Sequence, residues 1–363
     1  MTQPTTVDVA ETSAPSGPTC TRLWITEPGC VELIEDQLPA LGEHDVYAQT
    51  VISGISHGTE IAWLRGTAAS LHRTWTPQRY YVDGPGRAYP VVPGYESIAR
   101  VAQVGAAVTA VRAGDLLALD APHATGHVIT DSAAADRLLP AGTDPERAVF
   151  HILGRVALGG VHDATLQLGD AVVVMGLGTV GLLAAQFAQR AGATVFGVDR
   201  HALRVQEAQA LGVHAILAGN GVDVAAAVHE MTGGAGADAG IEASGSVTGL
   251  NETIRSLRVG GRVATIASYH GDQAGLRLSE EYHRNRITLI SSMTINGCDQ
   301  RTHPLWTLDR LNQTARQLIA TGAVRTDGLI THRIPFSRAA EAYALITDRP
   351  DQTIKVVLTY DHN

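Results

Sequence analysis

The sequence predicts an α/β protein: a doubly wound parallel sheet preceded by an antiparallel, barrel-like β domain. Three observations carry this. Short β-rich runs broken by turn residues occupy roughly 21–121. From about Asp144, strand and helix signals alternate, which requires βαβ units and a sheet covered on both faces. Between one strand and one helix of that series lies the glycine run Gly176-Leu177-Gly178-Thr179-Val180-Gly181. A chain of 363 residues exceeds one ordinary core and suits about two domains.

Taken in order, Arg22–Ile25, Asp45–Ser53, Ser97–Val104 and Leu116–Leu119 read as strands. Ala113-Gly114-Asp115 supplies the turn into the last of them. Leu71–Pro93, rich in Tyr, Pro and Gly, reads as a loop able to cover a site. Pro145–Ala164 reads as one helix, followed by strand Ala171–Met175, helix Leu182–Ala191 and strand Thr194–Val198. Helices His201–Leu211, Val222–Met231 and Thr248–Leu257 alternate with strands Ala215–Leu217, Ala239–Glu242 and Arg262–Ile266. Strand Thr288–Ser291, helix Leu305–Thr321 and a final strand pair ending in Ile354–Leu358 complete the chain.

Composition excludes several function classes. A net charge of −9 argues against nucleic-acid binding. Lys355 is the only lysine, which removes a lysine-dependent phosphate loop or Schiff base. Cys20, Cys30 and Cys298 are scattered, too few for a disulfide framework or a four-cysteine zinc site. No apolar run of 18 residues implies a membrane span. Residues 1–20 lack a signal-peptide pattern and read as a disordered tail, so the expected location is cytoplasmic.

The glycine run has the context of a dinucleotide fingerprint. Gly176 would allow the tight turn, Gly178 would admit a pyrophosphate to the helix N-terminus, and Gly181 would let helix and strand pack. Asp199, 21 residues beyond Gly178, would take the adenosine ribose hydroxyls and favour NAD. The adjoining Arg200 leaves NADP open. Thr179, Val180 and Arg204 join the cofactor-side candidates. Ala243, Ser244, Ala267, Ser268 and Tyr269 follow two strands at the carboxyl ends of the sheet, where such sheets bind ligands.

This order of domains resembles the medium-chain dehydrogenase/reductase superfamily. The resemblance runs from Thr21 to Tyr360 on GISHGTE (54–60), PGYES (93–97), AGD (113–115), GDAVVVMGLGTVGLLAAQFAQRAGA (169–193), VGGRVATIAS (259–268) and IKVVLTY (354–360). SGISHGTE with PGYES is similar to zinc-binding-dehydrogenase-like relatives, including the bacteriochlorophyllide dehydrogenase type. It implies a GroES-like substrate domain over 21–151 and 299–363, and a Rossmann domain over 152–298. It also implies NAD(P) in the cleft between them, Ser291 and Ser292 at the nicotinamide edge, and a homodimer through the strand at 286–292.

The resemblance breaks at the metal. Where zinc-dependent members have a cysteine, this chain has Ser56 or His57; the usual histidine is Tyr95, and the third ligand falls near Arg155. No metal is therefore expected, and hydrogen-bond donors would have to handle the reacting oxygen. Thr59 resembles the relay hydroxyl of the zinc relatives. His57 would exchange a proton near neutral pH, Tyr95 would donate, and Glu60 and Glu96 would orient the others. His151 and Arg155 share a helix face; Arg155 would hold a substrate anion or pair with Glu60 or Glu96. The implied activity is zinc-independent, NAD(P)-dependent hydride transfer to or from a small or medium alcohol or carbonyl. Alternatives are an NAD-retaining, redox-neutral epimerase or eliminase, an enoyl or quinone reductase, and a non-catalytic nucleotide sensor.

Overall fold

The computed structural model describes residues 17–270, 274–293 and 305–361. The tail expected over 1–20 lies outside these except at its end, where Thr19 and Cys20 already belong to a strand. That strand, β1 (Thr19–Glu27), turns at Pro28-Gly29 into β2 (Cys30–Gln37). Gly29 has φ +84°, the left-handed conformation a tight turn needs. β3 (Asp45–Gly54) alternates deeply and partly buried positions, the period of a strand with one covered face. After α1 (Thr59–Leu64), the stretch expected to be all loop contains a small exposed hairpin, β4 (Arg73–Trp75) and β5 (Tyr81–Asp83). Trp75 and Tyr81 meet edge to face at 4.8 Å across it.

β6 (Ser97–Val104), β7 (Leu116–Leu119) and β8 (Gly126–Thr130) build the first sheet, followed by α2 (Asp131–Ala135). The single helix expected over 145–164 is two, α3 (Pro145–Ala148) and α4 (His151–Asp163). The break has a cause: Glu96 Oε1 accepts the Leu153 N–H at 2.9 Å, so a carboxylate from the β domain starts α4 afresh.

The parallel sheet contains β9 (Ala171–Met175), β10 (Thr194–Asp199), β11 (His214–Leu217), β12 (Ala237–Glu242), β13 (Leu257–Thr265) and β14 (Thr288–Ser291). Helices α5 (Thr179–Arg190), α6 (Ala202–Ala210), α7 (Val224–Met231) and α8 (Val247–Arg255) connect its first five strands. Its order, β11-β10-β9-β12-β13-β14, reverses direction between β9 and β12, the crevice in which doubly wound sheets bind dinucleotides. α9 (Leu308–Ala320), β15 (Ile330–Pro335), α10 (Ala339–Asp348) and β16 (Lys355–Thr359) close the chain. β16 pairs antiparallel with β3, Val357 opposite Gly54, so the C-terminus returns to the first sheet. The largest core joins the two halves: Ile52 and Ile98 from the β domain, Leu153 and Leu158 of α4, Val174 of β9, and Leu311 and Ile319 of α9. Among the described residues, no helix is long and apolar enough to cross a membrane.

Candidate active site

Where β3 ends, residues 55–58 turn into α1, and Glu60 in the first turn of that helix reaches back over them. Its Oε1 accepts the Ser56 N–H at 2.8 Å; Oε2 accepts Tyr343 OH and meets His123 Nε2 at 3.0 Å. Burial opposes ionisation of Glu60, but His123, Tyr343 and the Ser56 N–H outweigh it and hold the carboxyl below its usual range. His123 Nδ1 in turn meets Ser53 Oγ at 2.7 Å, and Ser53 meets Tyr360 OH at 2.8 Å. Of this buried chain, sequence reasoning named only Glu60.

The loop so clasped presents Ser56, His57 and Thr59. The Tyr95 hydroxyl stands close enough to the Ser56 and Thr59 side chains for both to favour its ionisation; burial, with Glu96 and Glu60 nearby, outweighs them and pushes its pKa up, so it stays protonated. His57 departs from expectation. Burial, reinforced by the positive Lys355 and Arg204, lowers its pKa to about 3, so it is neutral rather than titrating near pH 7. Its Nε2 is buried without a partner.

Glu96 orients none of these groups directly. It bridges the Leu153 N–H and Lys355 Nζ, the latter at 2.5 Å. Lys355, fully buried, is a site residue that sequence reasoning missed; its one available signal was being the sole lysine. Arg155 pairs with neither Glu60 nor Glu96. It donates to Asn312 Oδ1 at 2.9 Å and lies 3.6 Å from Asp120, because these groups project from α9 and the end of β7 onto its face of α4. His151, four residues before it, is buried, with Nε2 unpartnered.

The glycine loop lies close by. A Cβ on Gly181 would fall 1.8 Å from the Gly176 carbonyl oxygen, and one on Gly176 2.7 Å from the Ser244 nitrogen. A Cβ on Gly178 would meet only Arg204 Nη1, at 3.9 Å, leaving an open cradle at the N-terminus of α5 that fits a pyrophosphate. Asp199 braces this loop: its carboxylate accepts the Leu177 N–H at 2.8 Å and the His201 N–H at 2.9 Å. Arg204 is committed as well, 3.5 Å from Asp199 and donating to the carbonyls of Pro350 and Thr353. Thr179 Oγ1 donates to the Ile354 carbonyl at 2.7 Å, tying the loop to the segment that carries Lys355. Val180 packs against the core, and Arg200 is exposed, its Nε 3.3 Å from His201 Nε2.

On the other side of the crevice, Glu242 accepts from Ser244 N–H at 2.8 Å, Gly245 N–H at 3.3 Å and Tyr269 OH at 2.6 Å. Sequence reasoning named Ser244 and Tyr269 but not the carboxylate that holds them. Ala243 abuts Gly181, and the Ser268 carbonyl closes on Gly245, beside Ala267. Ser291 ends β14 exposed, whereas Ser292 is buried with an unpartnered Oγ.

Comparison with known proteins matches residues 179–309 to the zinc-binding dehydrogenase family. D-guloside 3-dehydrogenase of Escherichia coli is 28% identical over 351 residues, covering 93% of this chain and 99% of its own. A putative zinc-binding dehydrogenase of Sinorhizobium meliloti, solved with NADP, superposes with TM-score 0.72 at 20% identity, over 94% of this chain and 99% of that one. A short chain alcohol dehydrogenase of E. coli complexed with NADH gives TM-score 0.72 at 18% identity, over 94% and 100%. The chain is similar to dehydrogenases of the medium-chain type.

The residues of this chain do not fit the zinc that the matched family's name implies. A tetrahedral catalytic site needs three protein ligands. Of His57, Tyr95 and Arg155, only His57 is an ordinary zinc ligand, and Lys355 and Arg204 place positive charge around it. Among the described residues, no group of three His, Cys, Asp or Glu converges as a metal site. Cys20 and Cys30 are free thiols remote from this position in sequence, and Cys298 lies outside the described residues.

Proposed function

We propose that this dehydrogenase works without zinc, moving hydride between NAD and a secondary hydroxyl of a polyhydroxylated, sugar-like substrate. The observation that carries the reading is the hydroxyl triad of Ser56, Thr59 and Tyr95 beside neutral His57, within electrostatic reach of Arg204 at the glycine loop. Bound NAD would supply the hydride acceptor at nicotinamide C4. Thr59 and Tyr95 hold the reacting oxygen by hydrogen bonds, and His57 Nε2 takes the proton the hydroxyl sheds. NAD is favoured over NADP because Asp199 puts a carboxylate at the end of β10. The D-guloside 3-dehydrogenase relative, matched over nearly its whole length, supports a sugar-like alcohol. A homodimer through β14 fits the same reading, since β14 is one of the two outer strands of its sheet.

The test is NAD reduction with a panel of polyols and glycosides, before and after dialysis against a chelator, with zinc measured on the same sample. Turnover that survives chelation supports the reading; turnover lost with the metal and restored by zinc overturns it. Turnover with no added nicotinamide would favour the redox-neutral alternative.

A further inference from the structure

We propose that Arg137, Arg155 and Arg316 form a recognition site for an anionic group on the substrate, a carboxylate or a phosphate carried by the alcohol. This names the substrate class for the reading above and rests on it.

The three arginines come from different elements and converge through named contacts. Arg155 donates to Asn312, which is one turn before Arg316 on the same face of α9. Arg316 Nη1 reaches the Asp136 carbonyl at 2.8 Å, which brings it beside Arg137; Arg137 Nη1 is held by the Ala133 carbonyl at 3.0 Å. His151, one turn before Arg155 on α4, faces the same group.

The charge is not balanced. Asp120 approaches Arg155 at 3.6 Å, but among the described residues no carboxylate lies within ion-pair reach of Arg137 or Arg316. Both are held by backbone carbonyls, which fix a guanidinium without neutralising it. The cluster also has a spare donor: Arg155 Nε is buried without a partner, as is His151 Nε2 beside it, on residues only 4% exposed. Unmade hydrogen bonds on buried donors are costly, and an incoming oxyanion would satisfy them. Burial first, then Arg316 and Arg155, lower His151; burial lowers Arg316 too, with Asp120 opposing it and Arg137 and Arg155 adding to it.

The cluster also has a bearing toward the reacting centre. Leu153, between His151 and Arg155, is held by Glu96, the neighbour of Tyr95. Burial lowers the proton affinity of Arg155 first; Asp120 and then the charge of Glu96 oppose that, which places Arg155 within electrostatic reach of Tyr95's neighbour. An alcohol whose hydroxyl meets Tyr95 and Thr59 could therefore place an acidic substituent against Arg155. Asp120, with a side chain 44% exposed, marks the open side.

The experiment compares matched pairs, sorbitol with sorbitol 6-phosphate and glucose with gluconate, on the native enzyme, Arg316→Gln and Arg137→Gln. Inorganic phosphate and gluconate are titrated separately by calorimetry. The expected result is higher kcat/KM for an anionic member, and a loss of roughly tenfold in the variants that is larger for that member than for its neutral partner. Which pair responds distinguishes phosphate from carboxylate. Equal losses on both members, or anion titrations identical in native and variant proteins, would overturn the inference while leaving the dehydrogenase reading intact. If no polyol of either kind reduces NAD, the functional reading fails instead, and the anion titrations still decide the site.

Discussion

Lys355 Nζ lies 2.5 Å from Glu96 Oε2 with neither side chain exposed, joining the last strand to the residue after Tyr95. Burial pushes the Glu96 carboxyl up and Lys355 draws it back. Removing one partner strands the other charge, so Lys355→Met should cost about 3–5 kcal/mol. Glu96→Gln added to it should recover most of that loss, because the amide oxygen still accepts from Leu153 N–H. Urea denaturation of the single and double variants checks this; an additive double loss would contradict it.

Glu60 has a depressed pKa, so its contribution is present above the ordinary carboxylate range and is lost as pH falls through the folded value. Glu60→Gln should therefore be less stable than the native protein by about 2 kcal/mol near pH 7. The gap should narrow below about pH 4. Denaturation midpoints across that window are the measurement, and a gap that widens in acid would refute the pairing.

Much of the architecture was legible because it is local. The strand and helix alternation, the glycine run and the Ala113-Gly114-Asp115 turn all depend on neighbours in sequence. The site was legible only in part. Glu96 and Lys355 are 259 positions apart, and Tyr343 reaches Glu60 across 283. No periodicity reports such a pair. β2 escaped notice because most of its residues face solvent. The break before α4 is made by Glu96 from another domain, whereas the sequence there reads as continuous helix. Arg204 and Asp199 were both named on the cofactor side, but their mutual pairing depends on the fold.

Two glycines of the loop should separate stability from binding. At Gly181 an added Cβ collides with backbone, so Gly181→Ala should cost about 1–3 kcal/mol. At Gly178 the space is open, and Gly178→Ala should change stability by less than about 0.5 kcal/mol. The same methyl group stands where a pyrophosphate would approach, so NADH affinity should fall at least roughly tenfold. Fluorescence titration with NADH alongside thermal melts distinguishes the two; unchanged affinity in Gly178→Ala would remove the loop from the cofactor site.

The neutrality of His57 makes a prediction about rate. With its pKa lowered to about 3, it already holds an unprotonated Nε2 throughout the neutral range. An unperturbed histidine acting as base would give kcat/KM a limb near pH 6.5. The free enzyme should instead show a flat profile from about pH 5 to 8 as far as His57 is concerned, because its protonated form is populated only in stronger acid. His57→Asn should lower kcat by roughly 10²–10⁴-fold if the imidazole takes the proton, without shifting the limbs that remain. Tyr95→Phe, which removes a donor that stays protonated, should lower kcat without adding a new limb. A limb near pH 6.5 that vanishes in His57→Asn would show that the imidazole titrates normally and that its buried, cation-flanked setting has been misjudged.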